Sequence, residues 1–280
     1  MFLTRLISGV VLLAVMAGLI RVGGPLLWAV LMAVSLIGQY ELYRAVKVTE
    51  RNRIFSPLAL SGYIGTILYY CVLLLENAGI LRGGGYGTAV ICVCLAAVMS
   101  VYVFGWPAYH ADQAMAALFG VVYVSVMISF IYQVRVMEGG MWLTILIFIC
   151  SWGCDTFAYC FGMLFGKHKM APKLSPKKSI EGAVGGVAGA AALGALFGWL
   201  MSLTDYLSVA GHAPAGEFAL ICALGALISM VGDLAASAIK RNHEIKDYGR
   251  LIPGHGGILD RFDSVIFTSP MIWLLCRLIL

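Results

Sequence analysis

The chain has 280 residues, of which 61% are hydrophobic and 12% charged, against about 25% charged in a soluble domain. A mean hydropathy of +0.92 excludes an ordinary soluble fold. The net charge of +5 is carried in loops beside apolar runs, which argues for a membrane surface and against nucleic acid as partner.

Nine apolar runs, each about the ~20 residues that a bilayer-spanning helix needs, lie near 4–22, 25–44, 57–76, 88–106, 114–134, 141–162, 182–203, 217–239 and 261–280. The first has the look of a secretory signal, but the later runs mark it as a retained span. The third is the least regular, with Pro57, Gly62 and Gly65. In the seventh, Gly182, Gly186, Ala190, Gly194 and Gly198 recur every four residues. That spacing lets helix backbones approach closely, and it would also suit the floor of an acyl-chain groove. The eight cysteines show no zinc spacing, and Cys92, Cys94, Cys150, Cys154 and Cys160 read as small side chains buried within spans.

With the amino terminus in the cytoplasm, only Arg21, Arg82, Arg135 and Arg277 of the 19 Lys and Arg fall on the opposite face. This asymmetry supports nine spans. The expected fold is therefore an all-α polytopic bundle with a site facing the cytoplasm. Residues 1–140 read as scaffold helices. Residues 141–280 carry the dense polar chemistry, with polar loops at 163–181 and 240–261. Glu41 and Glu50 flank a basic loop and read as solvated interfacial acids.

Acids inside spans are costly and are functional or paired. Asp155 lies in the sixth run and Asp233 in the eighth. Asp233, Ser237 and Lys240 stand at i, i+4 and i+7 and share a helix face, with Arg241 beside it. An acid, a hydroxyl and two cations in line suit a metal and a phosphate chain; an Asp paired with a nearby Lys is the plainer reading. Downstream, in IPGHGGILDRFD, Pro253, Gly254, Gly256 and Gly257 predict a tight turn with exposed N–H groups. Asp260 and Asp263 follow on one face of a helix start. They suit either the helix dipole or Mg²⁺, which takes few protein carboxylates. Lys246, Arg250 and Arg261 could pair with phosphates. His255 suits either a direct role or a backbone hydrogen bond. The loop KHKMAPKLSPKKSIEG carries Lys167, Lys169, Lys173, Lys177 and Lys178, which suit anionic headgroups or bound phosphate. Pro172 and Pro176 prevent one continuous helix there, and Ser179 with Glu181 suggests a capped helix start.

GMLFGKH, 162–168, is not a P-loop, because it has three residues between its glycines and His in place of Ser or Thr. The Asp260–Asp263 pair lacks the other elements of the CDP-alcohol phosphotransferase motif. Instead, SAIKRNHEIKDYGRLIPGHGGILDRFD, 237–263, resembles the signature of the phosphatidate cytidylyltransferases (CDP-diacylglycerol synthases). The match runs through Ser237, Lys240, Arg241, Lys246, Asp247, Gly249, Pro253, His255, Gly256, Gly257, Asp260, Arg261 and Asp263. SPKKSIEG, 175–182, and the stretch from Asp155 to Gly166 are similar to further family segments.

The resemblance implies an inner-membrane enzyme that converts CTP and phosphatidate to CDP-diacylglycerol and pyrophosphate. It also implies Mg²⁺, alone or with a second cation, divalent or K⁺, and a homodimer. Carried over residue by residue, it implies Asp233, Asp260 and Asp263 as metal ligands and catalytic acids together with Lys240. Arg241 and Arg261 would bind phosphate, within a substrate-binding set that includes Ser237, Lys246, His255, Gly256, Gly257, Lys177 and Lys178. A CDP-archaeol synthase, a CTP-dependent polyprenol kinase and an ion transporter using Asp155 and Asp233 are the alternatives.

Overall fold

The structure, a computed structural model, describes residues 2–49, 55–203, 214–252 and 256–280. Among them are nine long helices: α1 (Phe2–Val22), α2 (Gly24–Ala45), α3 (Pro57–Asn77), α4 (Tyr86–Phe104), α5 (Ala111–Arg135), α6 (Gly140–Phe165), α7 (Ile180–Ser202), α8 (Ala215–Asn242) and α9 (Leu259–Ile279). Helices α2 to α9 are long and apolar enough to cross a membrane, and α1 is apolar over Gly9–Val22. The chain is a polytopic all-α membrane protein. A short antiparallel hairpin, β1 (Lys169–Ala171) and β2 (Ser175–Ser179), joins α6 to α7.

The fold divides into two units, one of residues 1–132 and 243–261, the other of 133–242 and 262–280. Segment 243–261 thus belongs with the N-terminal helices, whereas the sequence placed all of 141–280 in one region.

In the first unit, Pro57 starts α3 behind Ser56, whose hydroxyl accepts the Ala59 N–H. Its irregular glycines have packing causes. A Cβ at Gly62 would collide with the Tyr43 hydroxyl, and one at Gly65 with the Cys94 sulfur. Tyr43, Leu58, Tyr63, Cys94, Val98, Ala117 and Val121 form the core there. Neutral polar side chains add hydrogen bonds within and between helices, as membrane interiors require. Gln39 Nε2 donates to the Tyr43 hydroxyl (2.6 Å) and the Thr66 hydroxyl donates to Gln39 Oε1 (2.8 Å). A π turn over Val121–Val126 in α5 carries Ser125, whose Oγ lies 2.8 Å from that of Thr66.

In the second unit, the glycine stripe of α7 is a packing face. Gly182 lies against Gly162 and the Ala158 carbonyl, Gly186 against Cys154, Gly189 against Phe157, and Gly194 against Cys222. These contacts seat α6 and α8 close to α7. Gly232 does the same between α8 and α9: a Cβ there would stand 2.9 Å from the Asp263 carbonyl oxygen.

Candidate active site

The second unit contains a cavity of about 480 Å³. Its polar wall comes from α6 (Asp155), the hairpin (Ser175, Lys177, Lys178, Ser179) and α8 (Asp233), and Tyr159 and Met163 complete the side next to Asp155. Lys178 and Asp233 form an ion pair across it. One helix away, Lys240 Nζ lies 4.0 Å from Asp263 Oδ2, and Asp263 is within Coulombic range of Asp233 and Asp155. The close approach at Gly232 places α9 where Asp263 can join Asp233. Three acids and two lysines therefore gather in a low-dielectric setting, where a charge is tolerated when paired.

Local sequence builds the wall. The Ser179 hydroxyl caps α7 by accepting the Gly182 N–H at 3.1 Å. Glu181 accepts the N–H groups of Lys167 (3.1 Å) and His168 (3.2 Å) and contacts His168 Nδ1 at 2.6 Å. The hairpin is thereby tied at both ends to the start of α7, with Lys177 and Lys178 facing the cavity. An apolar groove of about 380 Å³, lined by Ala183, Val184, Val187, Ala188, Ala191, Leu227 and Met230, shares Ala183 and Met230 with the polar cavity. The two adjoin at those residues, as the polar and the apolar part of an amphiphilic depression.

In the first unit, Asp260 is buried at 5% exposure, and its Oδ2 accepts the N–H groups of Tyr248 (2.8 Å) and Gly257 (3.0 Å). Gly256 adopts φ +89, a conformation that favours glycine, and its carbonyl accepts the Ile252 N–H at 2.9 Å. Glu41, at 4% exposure, accepts the N–H groups of Ile258 (3.1 Å) and Leu259 (2.9 Å). Arg44 Nη2 donates to the Tyr248 carbonyl at 2.9 Å. The solvated interfacial role expected for Glu41 is corrected by this burial: the N-terminus of α9 supplies the donors that keep the acid inside.

Ser237 is half-buried on α8 and Arg241 is exposed beyond it; Lys246 and Arg250 are exposed, and Arg261 is half-buried. His255, Pro253 and Gly254 lie outside the described residues. The sequence reading missed Glu41 and Arg44, whose signal was only an acid and a base one turn apart at the end of a span.

Fold and cavity define a polytopic helical membrane protein with clustered acids and lysines at an amphiphilic depression. The chain belongs to the Cytidylyltransferase family, whose model matches residues 3–279. It is similar to the phosphatidate cytidylyltransferase of Staphylococcus epidermidis, 30% identical over 273 residues and 96% of each chain. It is also similar to that of Bacillus subtilis, 28% identical over 277 residues, 98% of this chain and 97% of the relative.

Proposed function

We propose that the protein transfers the cytidylyl group of CTP to phosphatidate, forming CDP-diacylglycerol and releasing pyrophosphate. The family and its relatives supply the reaction class, and the observation that carries the substrate is the amphiphilic depression. Lys177 and Lys178 at its polar end suit a lipid phosphate, and the groove past Ala183 and Met230 suits an apolar chain.

An oxygen of the lipid phosphate forms the new bond to the α-phosphorus of CTP. The α–β bridging bond breaks and its electron pair leaves on pyrophosphate. Both reactants are anions, so charge repulsion dominates the barrier and positioning cations are the main requirement. Lys177, Lys178, Lys240 and Arg241 supply that charge, Ser237 offers a hydroxyl on α8, and the resemblance implies Lys246 and Arg261 as further phosphate binders. His255, Gly256 and Gly257 belong to the proposed substrate loop. The attacking phosphate is already ionised at neutral pH, so no strong general base is needed.

The donor chemistry fits Mg²⁺, alone or with a second cation. Mg²⁺ is usually held by one or two carboxylates plus substrate phosphates, and Asp233 and Asp263 offer two in one electrostatic cluster. Among the described residues no three His, Cys, Asp or Glu side chains form a metal cage, which suits an ion completed by substrate oxygens. The resemblance to the family signature implies Asp260 as a metal ligand as well. When bound, the ion would withdraw charge from the phosphates. The Lys and Arg asymmetry supports an inner-membrane protein with its site at the cytoplasmic face, and a homodimer is part of the same reading.

The test is a product assay with purified protein, phosphatidate, α-labelled CTP and Mg²⁺. The expected result is label in a lipid product together with equimolar pyrophosphate. Release of CDP with a newly phosphorylated lipid would replace this reading with a kinase. No lipid label from folded protein would remove phosphatidate as substrate.

A further inference from the structure

We infer that Glu41 is a positioning residue for the proposed reaction, acting through the loop that carries Asp260. The inference rests on the cytidylyl-transfer reading above for its activity readout alone; the contacts stand apart from it.

Helix α2 grips both legs of segment 248–259. On one leg Arg44 holds the Tyr248 carbonyl, and on the other Glu41 holds the Ile258 and Leu259 N–H groups. Asp260 joins the legs from within by accepting the Tyr248 and Gly257 N–H groups. Two buried carboxylates therefore share the donors of one turn. Glu41 takes those next to Gly257, which leaves Asp260 to bond Gly257 and Tyr248. Glu41→Gln keeps one acceptor oxygen and turns an NH2 on the other N–H group, which frees a donor at the start of α9 for which Asp260 is the nearest anion in sequence.

The glycines of the signature point the same way. Neither Gly249 nor Gly257 has a left-handed φ, so the backbone alone would accept alanine. A Cβ at either position would collide with the Glu41 carboxylate, and at Gly249 it would also stand 3.0 Å from the Gly257 Cα. Both glycines are small because Glu41 occupies the space between the legs. An acid held by two N–H bonds cannot swing away without losing them.

The experiment compares wild type with Glu41→Gln, Glu41→Asp and Gly249→Ala in detergent, reading steady-state kinetics and amide hydrogen exchange over 248–259. Glu41→Gln is expected to lower kcat at least ~10-fold, with KM for CTP and phosphatidate within about twofold, and to speed exchange at 248–259 selectively. Glu41→Asp, which keeps both acceptors, should recover part of kcat. Gly249→Ala approaches the same contact from the other side and should share the phenotype, so it serves if Glu41→Gln does not fold. Faster loop exchange with unchanged kcat would overturn the inference, leaving Glu41 a purely structural anchor. Unchanged exchange would overturn it as well. A wild type with no cytidylyl transfer would refute the proposed function instead, and the exchange data would still report the contact.

Discussion

Asp260 offers one carboxylate oxygen to two backbone N–H groups, so its charge and its hydrogen bonds can be separated by substitution. In Asp260→Asn the amide oxygen can still accept both N–H groups, and the loop keeps its geometry while the negative charge is lost. We expect turnover to fall by about 10²-fold or more, the scale of losing one group that stabilises transition-state charge, with the melting temperature in detergent little changed. Near-normal turnover would remove Asp260 from the metal and catalytic set. Asp155 and Asp233 were legible in the sequence because an acid within an apolar run has no solvated explanation. Glu41 was not. It lies where a span meets a basic loop, an ordinary place for a solvated acid, and the donors that bury it are 217 residues away in the chain. No periodicity connects residues so far apart.

Among the elements, helix positions follow from apolar run length to within ~2–4 residues, and two of the departures lie at ends that build the site. Helix α8 runs on to Asn242 instead of stopping near 239, which makes Lys240 and Arg241 helical. Helix α9 begins at Leu259 instead of 261, because Glu41 accepts the N–H groups of Ile258 and Leu259 where the helix starts. The prolines of 163–181 correctly excluded a helix, but the strands were hidden: lysine-rich segments this short show no apolar alternation. The α8–α9 crossing at Gly232 gives a prediction at this scale. Gly232→Ala would press a Cβ against the Asp263 carbonyl and stand 3.0 Å from the Phe267 Cβ. We expect a cost of about 1–3 kcal/mol, typical of overpacking, read as a lower melting temperature. Turnover should fall with it, since Asp263 would be pushed from Asp233. A stable and fully active Gly232→Ala would show that this spacing does not matter.

For the whole molecule, the charge distribution supports a proposed orientation that labelling can test. Every cysteine lies within a helix that spans or nearly spans the apolar layer, so a cysteine placed on the hairpin turn stands apart in water. Lys173→Cys should react with a membrane-impermeant maleimide in inverted vesicles and remain unlabelled in intact cells. The reverse pattern would invert the proposed topology. The division of the chain also has a consequence for the order of assembly. Helices α1 to α4 and most of α5 leave the ribosome early, yet their unit includes segment 243–261, which emerges only after α8. Until then Glu41 lacks the N–H groups that bury it, and Gly249 and Gly257 are not yet there to pack against it. The first half of the protein must wait in the bilayer with its last piece missing, so a ribosome that stops at the end of α8 releases all the helices of that unit without the segment that completes it.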